Sequence, residues 1–393
     1  MRILYVALKY DYGKLEQGYS FEHHNFYHSL LHMGHDILYF DFMTLMQEHG
    51  RESMNRRLLE VAKEERPDLL FAILFREELD KAILREISGA TDTLTLNWFC
   101  DDHWRFDTFS RDWAPCFNWV VTTAKSALPK YESLGYRNVI KSQWACNHFL
   151  YRGCDRSLQY PVSFVGRAHG NRPEIIAAIR DGGVDMHVWG TGWDSGRLSQ
   201  AEMIEVFSRS RINLNLSNAS TPTSPGNAPG RRAVRGWLSR TLNSLPFGLQ
   251  IKTRGRQWLA SLSDQQSAPK RSDQSTASGR LYPEQIKARN FEIPGCGGFL
   301  LTGLAEDLEC YYEVNKEIAC FHSVEELVDK AQYYLRNEDE RAAIANAGRQ
   351  RTLREHTYVH RFNEVFQHVG LPSLPLSAIL EGKVNPGRVQ EVC

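Results

Sequence analysis

The chain has 393 residues, 42% hydrophobic and 24% charged, with acidic and basic side chains in balance and a formal charge of zero. That length exceeds one ordinary hydrophobic core, so two domains are expected, and the composition excludes a disordered or fibrous chain. Eight scattered cysteines include no C-x-x-C pair, which argues against a zinc knuckle or redox motif and for reduced thiols.

The first apolar run, RILYVAL at 2 to 8, leads into a loop with Gly13 and Gly18 and a helical stretch from Phe21 to Met33 that Gly34 stops. DILYFDF (36 to 42), a polar helix over 51 to 65, DLLFAIL (68 to 74) behind Pro67, a helix over 77 to 88, TLTLNWF (93 to 99), WVVTT (119 to 123) and NVIKSQW (138 to 144) complete the first half. The alternation restarts at VSFVG (162 to 166) and continues through a helix over 172 to 181, MHVWG (186 to 190), a helix over 199 to 210 and INLNLS (212 to 217). It resumes with a helix over 284 to 293, GFLLT (298 to 302), EIACF (317 to 321) and helices over 323 to 336 and 338 to 354.

Short apolar runs separated by helical spacers are β-α-β units, which imply parallel sheets covered on both faces. The expected fold is α/β, with two Rossmann-like doubly wound domains facing a cleft. The expected boundaries are 1–150 for the first domain, 151–370 for the second with an insertion at 218–283, and 371–393 for a tail. Ligands of such sheets bind beyond the carboxyl ends of the strands, so the loops after Leu8, Phe99, Gly166, Gly190 and Ser217 are where chemistry is sought.

No run of about 18 apolar residues exists, and the opening segment is too short and wrongly flanked for a secretory signal. The expected location is the cytoplasm. Charge is uneven, however: residues 218 to 283 carry ten Lys/Arg against two Asp/Glu, a net +8. Within this block Val234, Trp237, Leu238, Leu242 and Leu245 recur at helical spacing, with Arg235 and Arg240 elsewhere on the wheel. That pattern admits peripheral docking of 231–262 on an anionic membrane, docking on an acidic partner, or an insertion packed on its own domain. No nucleic-acid partner is expected, because neither an RNA-binding motif nor an aromatic-rich basic stripe accompanies the charge.

In the first half, CDDHWRF sets Asp101, Asp102 and His103 just past a strand, where Asp101 or His103 is a candidate base for an acceptor hydroxyl and helix capping is the alternative. His24, His28 and His32 share one helical face near His23 and His35, a spacing that suits a transition metal although none is expected, and His24 is also a candidate base or sugar contact. In the second half, GRAHGNR places Gly166, Arg167 and Arg172 at a strand-to-helix junction suited to phosphate. Trp189 and Ser217 end the next strands and are candidate walls of a base pocket, with core packing and turn formation as alternatives.

The segment EQIKARNFEIPGCGGFLLT runs from Glu284 through Glu292, with seven residues between them, into an apolar strand. A glutamate near a helix start can accept hydrogen bonds from ribose hydroxyls, while Lys287 and Arg289 can hold a diphosphate; a helix end decorated with acids is the alternative. This spacing, with the turn and strand after it, resembles the E-x7-E segment of GT-B glycosyltransferases, and the Arg289, Phe291, Glu292, Gly295, Thr302 pattern is similar to the CgeB-like (spore maturation protein-like) branch. DLECYYEVNKEIACFHSVEELVDKAQYYL and HTYVHRF also resemble that branch, so the likeness covers about residues 161 to 368. The resemblance implies that Glu292 binds the donor ribose, that Lys287 or Arg289 neutralises the diphosphate, that Glu284 approaches the transferred sugar, and that a C-terminal helix returns to the first domain. It implies a nucleoside-diphosphate sugar as donor, no cofactor, no metal, retention at the anomeric carbon, and a glycan, lipid-linked or protein acceptor. A non-catalytic sugar-nucleotide binder and a sugar-nucleotide epimerase are the alternatives.

Overall fold

The protein, in a computed structural model, is described here for residues 1–154, 157–217, 285–380 and 382–392. Glu284 and the basic segment 231–262 lie outside the described residues.

The first sheet contains β1 (Arg2–Val6), β2 (Asp36–Phe40), β3 (Leu69–Ala72), β4 (Leu94–Phe99), β5 (Trp119–Thr122) and β6 (Val139–Lys141). The second contains β7 (Tyr160–Val165), β8 (Met186–Trp189), β9 (Ser210–Asn215), β10 (Leu300–Gly303) and β11 (Ala319–Phe321). A last strand, β12 (Val389–Glu391), returns to the first sheet, giving the orders β12-β2-β1-β3-β4-β5-β6 and β11-β10-β9-β7-β8. Every pairing is parallel. Ile3 to Val6 and Leu69 to Ala72 are fully buried, as continuous apolar strands covered by helices on both faces must be.

In each sheet the strand order reverses beside the first strand: β2 and β3 flank β1, and β8 and β9 flank β7. These two reversal points are where doubly wound sheets open a crevice for ligands. The expected pair of Rossmann-like domains is therefore present.

The chain crosses back through the helix Tyr358–His368, whose Phe362 ring lies 5.7 Å from Phe26, 5.7 Å from Phe71 and 6.0 Å from Trp98 of the first domain. This is the returning C-terminal helix. Beyond it, the segment expected as a plain tail forms a helix (Leu376–Leu380) and then β12, with Val389 paired to Ile37 and Glu391 to Tyr39. The helix expected over 284–293 instead spans Arg289–Gly295, so Lys287 precedes it. The helix expected from Phe21 to Met33 contains a π-helical turn, His23–Tyr27, before an α-helical turn, His28–His32. No helix among the described residues is long and apolar enough to cross a membrane.

Candidate functional site

A cavity of about 680 Å³ lies between the two reversal points. The loop after β1 supplies Asp11, Tyr12, Gln17 and Tyr19; the following helix adds His24 and Asn25. The second domain supplies Gly166 and Arg167 after β7, Gly190 and Thr191 after β8, Arg197 to Ala201, and Arg289. Tyr151 of the interdomain connection completes the wall.

The β7 and β8 loops approach each other so closely that a side chain would not fit. Gly190 has φ +135°, and a Cβ there would stand 2.2 Å from the Gly166 carbonyl oxygen. Hydrogen bonds from Gly166 N to Trp189 O (2.8 Å) and Ala168 N to Thr191 O (2.9 Å) fasten the two loops together. Arg167 projects from this junction, its guanidinium 5.8 Å from the Tyr12 ring across the cleft. The helix Gln200–Arg209 begins at the same wall, where Ser199 and Glu202 close a capping box.

Arg289 enters the cavity with its charge already partnered. It pairs with Glu292, whose side chain is fully buried, and Tyr151 donates a hydrogen bond to Glu292 Oε1 at 2.6 Å. Both carboxylate oxygens are thus engaged from within the protein, and Glu292 is not among the lining residues while Arg289 and Tyr151 are. Arg197 reaches across to Asp11 at 2.6 Å and to Gln17 at 3.1 Å.

The remaining expected residues divide by position. His24 lines the cavity, and burial holds its pKa below the usual imidazole value despite the opposing Glu292 charge. Asp101 meets Lys287 Nζ at 3.0 Å; burial alone would raise its carboxyl, but Lys287 overrides this and holds it low. His103 Nε2 stands 4.0 Å from Asp101, and burial with the nearby Lys287 charge pushes it down to about 4. Asp102 is turned into the first domain, where Tyr131 donates to it at 2.8 Å.

Arg172 does not line the cavity: it donates to the carbonyls of Arg167 (3.0 Å) and Leu216 (2.5 Å), bracing the loop after β7. Trp189 packs on Tyr160 and His187 outside the cavity. Ser217 is buried, its carbonyl accepting from Gln285 N at 3.1 Å. His28 and His32 stack at 4.0 Å rather than converging, and no group of three or more His, Cys, Asp or Glu among the described residues is arranged to hold a metal.

Residues 171–233 and 236–367 match the sequence pattern of a family described as glycosyl transferase-like. The chain is a glycosyltransferase. No curated protein matches the sequence. Among solved structures, this glycosyltransferase is similar to Anabaena HepE in complex with UDP-glucose, with 10% identity, a TM-score of 0.57, and coverage of 94% of this chain and 99% of that one. It is also similar to sucrose-phosphate synthase from Thermosynechococcus elongatus (8%, TM-score 0.56, coverage 94% and 99%) and to a glycosyltransferase from Rickettsia africae (10%, TM-score 0.54, coverage 95% and 99%). At these identities the likeness shows the fold, GT-B.

Contributors to the glycosyltransferase's cavity that were not singled out in the sequence include Asp11, Tyr12, Tyr19, Asn25, Tyr151 and Arg197. Arg197 carried a signal, since Ser199-x-x-Glu202 marks a helix start and a cation just before it sits at a strand-to-helix junction. Tyr151 carried none, because its partner Glu292 is remote in sequence.

Proposed function

We propose that this glycosyltransferase moves a sugar from a nucleoside-diphosphate sugar to an acceptor hydroxyl in the cavity between its domains. The observation that carries this reading is that Arg167, Arg197 and Arg289 line one cavity at the carboxyl ends of both sheets. Its volume falls within the roughly 300–1,000 Å³ of ordinary ligand sites.

The donor diphosphate lies against Gly166, Arg167 and Arg289. Gly166 and Gly190 let the backbone approach it, and the arginines offset its charge. In transfer, the bond from the anomeric carbon to the diphosphate oxygen breaks and the diphosphate keeps the electron pair. The acceptor oxygen bonds to that carbon, and its proton passes to a base. Stabilising the departing diphosphate is the dominant electrostatic task, and the protein's own cations supply it without a metal.

His24 is the base favoured here, because it faces the cavity and burial keeps its imidazole neutral. Asp101 is engaged by Lys287 and serves as the alternative. Glu292 acts through its neighbours, holding Arg289 and Tyr151 at the wall. Direct binding of the ribose by Glu292 would require one of those partners to let go. Retention at the anomeric carbon is what the E-x7-E resemblance implies.

HepE has been crystallised with UDP and with UDP-glucose, so a uridine donor is the first to try. The test is a panel of UDP-, GDP-, dTDP- and CDP-sugars, scored by released nucleotide for the wild type and Arg167→Ala. A donor turned over by the wild type and weakened at least tenfold in the variant is expected; equal turnover by both would remove Arg167 from the site, and no turnover of any donor would sink the reading.

A further inference from the structure

The loop from Lys9 to Ser20 on the first-domain wall is built to display rings. Its ends are tied by hydrogen bonds from Asp11 N to Gly18 O and from Ser20 N to Lys9 O, both 2.9 Å, and Ser20 Oγ donates to the buried Leu8 carbonyl at 2.6 Å. Nine large hydrophobic side chains are exposed among the described residues, and three of them, Tyr12, Leu15 and Tyr19, fall within this loop. Tyr12 is 45% exposed and Tyr19 48% exposed, and both line the cavity.

Neither ring is loose. Tyr19 stacks on His23 with centroids 4.2 Å apart and on Tyr10 at 5.6 Å, and Tyr12 meets Phe75 edge-on at 5.8 Å. Tyr12 also has φ +53°, a left-handed backbone that costs a non-glycine residue about 1 kcal/mol. A strained tyrosine left nearly half exposed gains little burial in return, so its placement points to something that lies against the ring.

The groups beside these rings define what that is. Asp11 and Gln17 line the same wall and each gives one oxygen to Arg197; a carboxylate has a second oxygen, and a side-chain amide two N–H groups, that suit hydroxyls. Asn25 beside them is 1% exposed, and its buried Oδ1 lacks a hydrogen-bond partner among the described residues. Apolar C–H faces alternating with hydroxyl edges are the surface of a sugar ring. A purely apolar lipid tail would leave these polar groups unpaired at a cost.

We propose that the acceptor is a saccharide, and that Tyr12 and Tyr19 form the platform against which its sugar ring lies. The proposal rests on the glycosyl-transfer reading and names the acceptor class for that same cavity. The donor occupies the arginine wall of the second domain, and the acceptor ring occupies the tyrosine wall of the first.

Saturation-transfer NMR on the full chain tests it, with UDP as donor-side probe and unlipidated methyl glycosides and disaccharides of glucose, galactose, mannose and N-acetylglucosamine as acceptor-side probes. With protein aromatic protons irradiated, ring C–H protons of at least one saccharide should be saturated. Binding of that saccharide should weaken about five- to tenfold in Tyr12→Ala and Tyr19→Ala and persist in Tyr19→Phe, with melting temperatures unchanged. UDP bound without any saccharide, or saccharide binding equal in the alanine variants, overturns the platform while leaving the donor reading intact. Saccharide saturation without UDP binding upholds the platform and directs the donor test to the GDP-, dTDP- and CDP-sugars. If only lipid-linked glycosides bind, through their lipid, the acceptor class is wrong.

Discussion

Tyr151 and Glu292, 141 residues apart, meet through a 2.6 Å hydrogen bond in which the phenol donates to the carboxylate. Tyr151 is 1% exposed and Glu292 0%. The bond joins the segment carrying Tyr151 to the helix that carries Arg289, so the carboxylate is a structural tie as well as a neighbour of the site. Glu292→Gln leaves the Arg289 charge without its counter-ion, at an expected cost of about 2–4 kcal/mol, below the full buried-pair value because Arg289 is 28% exposed. Tyr151→Phe removes one charge-assisted hydrogen bond and should cost about 1–3 kcal/mol. Thermal unfolding followed by circular dichroism checks both; an unshifted melting temperature in Glu292→Gln would return Glu292 to a purely ligand-binding role.

Arg197 and Asp11 behave differently because their pair is half-exposed, with side chains 44% and 27% accessible. Such a pair contributes only about 0–1 kcal/mol to stability. Arg197→Met should therefore barely change the melting temperature while raising the donor KM about tenfold, if the guanidinium serves the diphosphate. Steady-state kinetics beside a melting curve separates the two effects. A large drop in melting temperature with unchanged KM would make Arg197 a latch between domains.

Sheets and helices were legible from residue pattern, while the site was legible only in part. The helices 51–65 and 172–181 are found at Arg51–Glu65 and Arg172–Asp181, because their apolar positions recur at helical period and punctuation bounds them. β12 was not legible: Val389–Glu391 is exposed and short, and pairs with β2 only because the returning helix brings the chain there. Arg167 and Arg289 were singled out as phosphate candidates, one at a strand-to-helix junction and the other within the E-x7-E segment, and both line the cavity. Arg172 shares the junction with Arg167 yet faces away, since its geometry is set by the Leu216 carbonyl, distant in sequence. Asp11, Tyr12 and Tyr19 were missed because a closed loop has no periodicity; hydrogen bonds at its ends and within its two short turns give it form.

The pH dependence of stability should be steep on the acid side. His35 (2% exposed) and His356 (5% exposed) are pushed down to about 4, His35 chiefly by burial and His356 by burial and then the Arg361 charge. The unfolded chain titrates near 6.5, so between pH 6.5 and 4 unfolding takes up protons that the folded state refuses. Stability is therefore complete above pH 6.5 and falls as pH drops, by up to about 1.4 kcal/mol per pH unit for each residue. Glu22, raised to about 7 mainly by burial, works the other way, its contribution fading as pH rises from about 4.5 to 7. Neither ring nitrogen of His35 has a hydrogen-bond partner among the described residues, and the ring packs against Phe366. His35→Phe should accordingly flatten the acid limb without lowering stability at pH 7.5. Urea unfolding at pH 7.5 and pH 5 measures this, and an unchanged pH slope would remove His35 from the set.

The Gly166–Gly190 contact admits a sharp test. A methyl group at Gly190 would stand 2.2 Å from a backbone carbonyl, and φ +135° is closed to side chains. Gly190→Ala must therefore separate the β7 and β8 loops or strain them, and either outcome moves the wall that carries Arg167. A loss of about 1–3 kcal/mol in stability is expected, together with loss of donor binding. Gly196→Ala, also at positive φ but with open space around its Cβ, is the control: it should carry the backbone penalty alone and keep the donor. Calorimetric titration with UDP distinguishes the two variants, and equal UDP affinity in both would mean that the loops separate without disturbing the site.

The base can be identified through the charge next to its rival. Asp101 is held below the usual carboxylate range by Lys287, against the opposing effect of burial. Lys287→Met removes that charge, so the Asp101 pKa must rise. If Asp101 takes the acceptor proton, the acid limb of kcat/KM against pH moves to higher pH in the variant. If His24 is the base, that limb stays in place, and His24→Ala lowers kcat by about 10²–10⁴-fold. His24 is favoured because Asp101 can accept a proton only by giving up a 3.0 Å ion pair, whereas the His24 imidazole faces the cavity and stays neutral at lower pH. A pH profile shifted by Lys287→Met, together with turnover retained in His24→Ala, would transfer the role to Asp101.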